Sequence, residues 1–150
     1  MRVRVLGLAA GVVACTCTAH AKELTMSIVG PAIQIQTSLA GDSMAGVGAN
    51  AEIIEDAAVK SLAPPSTAIA AAAKSLKATA NLADARAAFG KLSEAIVAYV
   101  DAQKLGLPSR DPKIHIAYCP MANKPWLQAG EKIANPYYGS AMPTCGSLKK

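Results

Sequence analysis

Prolines divide this chain into two parts that can fold in different ways. Six of the nine prolines lie between residues 108 and 143, where they exclude a continuous helix because each removes a backbone donor and crowds the preceding turn. The stretch from Ser27 to Leu107 is rich in alanine, the residue with the highest helix propensity. The sequence therefore predicts a helical body followed by an irregular C-terminal segment. The six prolines are Pro108, Pro112, Pro120, Pro125, Pro136 and Pro143.

Apolar residues in the first part recur at three- and four-residue spacing, which is typical of amphipathic helices. Four helices are predicted: from near Ile28 to Gly41 with Pro31 in the opening turn, from the cap at Asp42 and Ser43 to Ala63, from Ser66 to Asn81, and from Ala85 to Gly106. Short connections between them favour an antiparallel up-down arrangement. The predicted fold is all-α: a four-helix bundle over 22–107, then a short strand at 113–118 within a Pro-rich irregular segment, 108–150. Bundle and segment form a single domain, 22–150.

Residues 1–21 carry the features of an export signal. Arg2 and Arg4 precede an uncharged stretch, and Ala19-His20-Ala21 matches a small-x-small cleavage site. The apolar stretch is too short to cross about 30 Å of hydrocarbon, so we expect an exported, periplasmic protein without a transmembrane span. The sequence Val12-Val13-Ala14-Cys15 also resembles a lipobox, which leaves open a lipoprotein anchored at Cys15.

Removal of the signal leaves 13 basic and 10 acidic side chains and a formal net charge of +3. With one Phe, one Trp and no basic cluster apart from Lys149-Lys150, the chain lacks the charge and the stacking platform of a nucleic-acid binder. His115 is the one histidine that remains, and neither a serine elbow nor a C-x-x-C pair accompanies it. We therefore predict neither nucleic-acid binding nor enzymatic activity.

Two short segments of the C-terminal part each combine a cysteine with a methionine. Proline keeps Cys119-Pro120-Met121 extended, so the thiol and the thioether point to one side. A tight turn at Met142-Pro143-Thr144-Cys145 brings the first and fourth Cα atoms within about 7 Å. Thiolates and thioethers are soft donors that suit Cu(I) and Ag(I). The predicted metal ligands are Cys119, Met121, Met142 and Cys145, with His115 as a possible extra ligand.

A disulfide is the alternative explanation for the same cysteines. Exported proteins usually pair their cysteines, and Cys119 and Cys145 are the two that remain after export. A bridge between them would close a loop of about 27 residues and stabilise the fold by about 3 kcal/mol. The protein would then be a disulfide-stapled structural or interaction module of the cell envelope without a metal. The residue pattern leaves both alternatives open.

Three stretches resemble a known family: AAFGKLSEA at 87–95, YCPMANKPWLQ at 118–128 and IANPYYGSAMPTCG at 133–146. They are similar to the exported bacterial family called domain of unknown function 3347, which also occurs appended to periplasmic adaptors of copper and silver efflux pumps. The resemblance implies Cu(I) or Ag(I) binding in copper buffering, delivery or efflux, with an efflux adaptor or another copper-handling protein as partner. A shortened, lysine-bearing insert before Trp126 and the proline after Met142 depart from the family pattern. The matching positions are Cys119, Met121, Trp126, Asn135, Pro136, Tyr137, Gly139, Met142, Cys145 and Gly146; of these, we expect Trp126 to shield the site and Asn135 and Tyr137 to shape the loop.

Overall fold

The computed structural model describes residues 13–61, 66–104, 106–109 and 112–149 of the chain. Its helices are α1 (Val13–Ala40), α2 (Val47–Lys60), α3 (Ser66–Lys77) and α4 (Leu82–Gln103). Its strands are β1 (Ile114–Cys119), β2 (Lys124–Ala129) and β3 (Ser147–Leu148), and a 3-10 turn spans Gly139–Ala141. The four predicted helices are confirmed. The residues of the predicted signal before Val13, the helix-ending prolines at 64 and 65, and Lys150 lie outside the described residues.

Contacts near the helix ends show that neighbouring helices run in opposite directions. Tyr99, near the end of α4, donates a hydrogen bond to the carbonyl oxygen of Ala21 in the first half of α1 (3.3 Å). Arg86, near the start of α4, donates to the carbonyl of Leu39 at the end of α1 (3.0 Å). Lys77, the last residue of α3, contacts Glu55 of α2. The four helices therefore form an antiparallel bundle in which α1 packs on both α2 and α4. Among the described residues, no helix combines the length and the apolar character that crossing a membrane requires.

Helix α1 begins much earlier than the predicted start near Ile28, and Pro31 lies inside the helix. A proline inside a helix costs about 3 kcal/mol, which favoured placing Pro31 in a first turn. Ala21, Leu24 and Ile28 are nevertheless buried at three- and four-residue spacing. Their contacts with the rest of the core outweigh the hydrogen bond that the proline removes, so packing decides where the helix extends.

The C-terminal part contains a three-stranded antiparallel sheet in the order β2-β1-β3, where the sequence predicted one strand in an all-α fold. Strand β1 matches the prediction within one residue. Strand β2 was missed because Pro125 argues against a central strand. In the structure β2 is an edge strand, where a missing backbone donor is tolerated, and Ala117 of β1 pairs with its Trp126.

The sheet and the bundle share one hydrophobic core. Strand β2 packs against α4 and α1. The Tyr137 ring lies between Phe89 of α4 and Trp126 of β2, with both ring-centroid distances 5.9 Å. Its hydroxyl donates to the carbonyl of Pro125 (2.5 Å), which also accepts a hydrogen bond from Ser93 (2.8 Å). The C-terminal segment is therefore packed onto the bundle.

A polar contact, which we call the Asp42 clasp, ties the same segment to the helices. The Asp42 carboxylate, in the turn after α1, pairs with Arg86 and accepts the backbone N–H of Ser140 (3.1 Å). Arg86 Nε also donates to the carbonyl of Pro136 (3.1 Å). Gly139 has a φ of 51°, and a Cβ atom there would overlap both charged side chains. The clasp thus depends on a glycine beside it.

Candidate metal centre

Two cysteine sulfurs meet at the end of β1. Cys119 is the last residue of β1 and is fully buried, whereas Cys145 is half-buried in the turn that leads into β3. Their Sγ atoms lie 3.5 Å apart and are not bonded. The pairing of β3 with β1, in which Ser147 lies opposite Tyr118, brings together two residues that are 26 positions apart. We call Cys119 and Cys145 the sulfur pair.

Backbone N–H groups of the turn between β1 and β2 surround the first sulfur. The N–H of Ala122 donates to Cys119 Sγ (3.4 Å), and the nearby N–H of Met121 acts to lower the pKa of both thiols. Asn123 has a φ of 54°, which lets the chain reverse direction before β2. The turn therefore supplies hydrogen-bond donors to a buried sulfur that carries a negative charge and that water does not reach.

The two thiols have different acidities. Burial by itself raises the pKa of Cys119, but hydrogen bonds from Ala122, Asn135 and Cys145 outweigh burial and lower the pKa below its ordinary value. The pKa of Cys145 is raised, chiefly by its hydrogen bond to the Cys119 sulfur and then by burial. Cys119 is thus the first of the pair to become a thiolate, the form that binds metals and attacks disulfides.

The methionines predicted as ligands lie in the same two turns as the sulfur pair. Met121 is 63% exposed and follows Cys119 by two residues. Met142 is 39% exposed and precedes Cys145 by three residues, and its carbonyl accepts the N–H of Cys145 (3.2 Å). Within the described part of the chain, no cluster of three or more His, Cys, Asp or Glu residues could hold a metal. The methionine ligands therefore stay a prediction.

The structure does not bring His115 to the sulfur pair. It lies four residues before Cys119 on β1, opposite Gln128, so about 13 Å of strand separates their Cα atoms. Its Nε2 atom is buried and has no hydrogen-bond partner among the described residues. His115 is on the correct strand but at the other end of it.

Two small contacts at the pair were not expected from the sequence. Asn135, expected to shape the loop, is fully buried and donates to Cys119 Sγ (3.3 Å). Gly146 has a φ of 144°, and a Cβ atom there would lie 2.6 Å from Trp126 and 2.9 Å from the carbonyl of Tyr118. Glycine therefore allows the strand after Cys145 to approach β1. The dipeptides Asn135-Pro136 and Cys145-Gly146 are visible in the sequence. Neither dipeptide indicates how close its residues lie to Cys119 or to β1.

A cleft of about 420 Å³ lies elsewhere, between α1 and α2, and contains none of the predicted site residues. Glu23, Ile53, Asp56 and Lys60 are among its lining residues. Its lining combines charged and apolar side chains and, among the described residues, contains no cysteine or methionine. The sulfur pair is therefore the better candidate for a metal site.

The fold and the site together define a helical bundle whose C-terminal sheet carries a partly buried dithiol. Comparison with models of known protein families, with curated proteins and with solved structures finds no match for this chain. The resemblance of the C-terminal motifs to domain of unknown function 3347 therefore stays a prediction.

Proposed function

We propose that this protein binds a soft monovalent metal ion, Cu(I) or Ag(I), and serves in copper buffering, delivery or efflux outside the cytoplasm. The observation that carries the proposal is the 3.5 Å distance between the unbonded sulfurs of Cys119 and Cys145. Metal–sulfur bonds of about 2.3 Å at a tetrahedral angle hold two sulfurs about 3.8 Å apart, so a small opening of the pair admits a metal ion. Thiolate donors favour Cu(I) over harder cations.

The thioethers of Met121 and Met142 complete the proposed donor set. Both side chains are exposed and lie within three residues of a cysteine of the pair, so the proposal requires them to turn from solvent toward an ion at the pair. Exposed thioethers also let a partner protein replace the donors one at a time. We infer an efflux adaptor or another copper-handling protein as that partner, in agreement with the predicted export and the motif resemblance. His115 is left out of the donor set because it lies at the far end of β1.

The test is competition for Cu(I) between the reduced protein and a chromophoric chelator. We expect Cys119→Ser or Cys145→Ser to abolish competition, and Met121→Leu or Met142→Leu to weaken binding by about tenfold each, which corresponds to about 1.4 kcal/mol. Met26→Leu is the matched control, because Met26 is 49% exposed on α1 and should leave the affinity unchanged.

X-ray absorption on the Cu(I)-loaded protein should count three or four sulfur neighbours. A count of two, or a loss of affinity in Met26→Leu equal to that in Met121→Leu, would remove the thioethers from the site. Failure of the reduced protein to compete at all would contradict metal binding itself.

The same sulfur distance favours a second function, that of a disulfide-stapled structural module. An S–S bond of about 2.05 Å needs the two sulfurs to approach by about 1.5 Å. Intact mass before and after reduction and alkylation, without metal, distinguishes the two. A chain isolated fully oxidised that fails to bind Cu(I) after reduction would support the staple.

A further inference from the structure

The side chain of Asn135 uses its full hydrogen-bonding capacity beside the sulfur pair. Its Nδ2 donates to Cys119 Sγ (3.3 Å) and to the carbonyl oxygen of Cys145 (2.6 Å). Its Oδ1 accepts the backbone N–H groups of Tyr137 (2.8 Å) and Tyr138 (3.3 Å). An amide offers two donor hydrogens and two acceptor lone pairs, so no capacity is left over.

The orientation of this amide follows from its partners. Reversing it would set Oδ1 against a carbonyl oxygen and Nδ2 against two N–H groups, which leaves buried groups unpaired. The backbone of Asn135 is held as well: its N–H donates to the carbonyl of Pro143 (2.9 Å), and its carbonyl accepts the N–H of Gly139 (3.1 Å). Asn135 is therefore anchored to the turn that carries Cys145, while its side chain reaches the end of β1.

We propose that Asn135 is the positioning residue of the sulfur pair: it holds the sulfurs of Cys119 and Cys145 about 3.5 Å apart before a metal ion or an oxidant joins them. The benefit of this positioning rests on the proposed function: if the two cysteines are already held together, metal binding does not have to offset the entropy lost in ordering them. The geometry itself can be tested without a metal.

Gln128 supplies a matched control. It is also a buried amide with four hydrogen bonds: Trp126 Nε1 (3.1 Å) and the N–H of Ala134 (3.4 Å) donate to its Oε1, and its Nε2 donates to the carbonyls of Gly130 and Lys132 (3.0 Å each). None of these partners is a cysteine. Asn135→Asp and Gln128→Glu each replace two buried N–H donors with a carboxyl oxygen of the same shape, but Asn135→Asp alone removes donors from the sulfur pair.

The experiment equilibrates the metal-free protein with reduced and oxidised glutathione. The two protein thiols and one oxidised glutathione exchange to one Cys119–Cys145 disulfide and two reduced glutathiones, and the equilibrium ratio gives the effective concentration of the pair. We expect Asn135→Asp to lower it at least tenfold, or about 30 mV for this two-electron couple, and Gln128→Glu to change it less than twofold. An Asn135→Asp value within twofold of the unmodified protein, or an equal loss in Gln128→Glu, would overturn the proposal.

If Asn135→Asp does not fold, the unmodified protein provides the second measurement. The side-chain amide protons of Asn135 should exchange slowly with water and shift in nuclear magnetic resonance spectra when the disulfide forms, while those of Gln128 should not shift. Fast exchange and no shift at Asn135 would contradict the proposal. Loss of Cu(I) binding with a normal Asn135 result counts against the proposed function alone, and the reverse pattern counts against Asn135 alone.

Discussion

At the residue scale, the two turns at the site depend on glycines because of what a side chain would strike. Gly146 lets the strand after Cys145 approach Trp126, and Gly139 leaves room for the Asp42 clasp. Both glycines have positive φ, and in addition nearby atoms leave no room for a Cβ atom at either position. Gly106 has a φ of 69° as well, and a Cβ atom there would meet nothing within 4 Å.

Gly139→Ala and Gly106→Ala therefore separate backbone strain from collision. We expect Gly106→Ala to lower the free energy of unfolding by about 1–2 kcal/mol, because alanine resists the left-handed region. Gly139→Ala should lower it further, because its Cβ atom also displaces Asp42 and Arg86. Urea denaturation measures both. Equal losses would show that the clasp does not depend on Gly139, and the extra loss should shrink when Asp42 is already replaced by alanine, since only the overlap with Arg86 then remains.

At the element scale, the Asp42 clasp joins three parts of the chain that are distant in sequence. Asp42 follows α1, Arg86 lies in the first turns of α4, and Ser140 belongs to the 3-10 turn before the sulfur-bearing segment. Hydrogen bonds from Ser140, followed by the contact with Arg86, lower the pKa of Asp42 to about 2. The clasp therefore has a defined pH dependence.

The pKa of Asp42 is lower in the folded protein than its ordinary 3.8, so the carboxylate contributes stability above about pH 4 and loses it as the pH falls toward 2. We expect the melting temperature of the unmodified protein to fall more steeply between pH 4 and 2 than that of Asp42→Asn. Asp101→Asn, at an exposed position near the end of α4, should follow the unmodified protein. Parallel curves for Asp42→Asn and the unmodified protein would contradict this assignment.

At the scale of the whole molecule, one core joins the helices to the sheet. Tyr137 is at the centre of this contact, with Phe89 on one side and Trp126 on the other. Burial raises the pKa of Tyr137 far above its ordinary value, so its hydroxyl stays protonated and continues to donate to Pro125. A shared core predicts that bundle and sheet unfold together.

This prediction can be checked because the chain has a single tryptophan, which lies in the sheet. Trp126 fluorescence and the helical circular dichroism signal should give the same urea midpoint, as two-state unfolding requires. Tyr137→Ala should lower both midpoints together, with a loss of about 3–5 kcal/mol, the range for truncating a buried aromatic residue. Tyr138→Ala, at a half-buried neighbour, should cost less. Separate midpoints in the unmodified protein would mean that bundle and sheet are independent.

The helices were predictable because their signals are local. Apolar spacing and alanine content act within a few residues of each other. The cap at Asn81, whose Oδ1 accepts the N–H of Asp84 (2.9 Å), was not predicted, because Asn81 was assigned to the end of the preceding helix. The start of α1 was not predictable in this way, since it depends on the burial of Ala21 and Leu24 against the rest of the bundle. Strand β2 was missed for a related reason, because the tolerance of Pro125 depends on its place at the sheet edge.

The sequence by itself determined the four-helix body, the position of β1, and the chemistry available in the last forty residues: two thiols, two thioethers and few other donors. Only the tertiary structure decided that Cys119 and Cys145 lie 3.5 Å apart, that Asn135 contacts them, and that His115 lies at the far end of the strand. The physical reason is range. Residue type and periodicity act over a few positions, whereas the distance between two sulfurs 26 residues apart depends on how β3 pairs with β1 and how the sheet packs on the bundle.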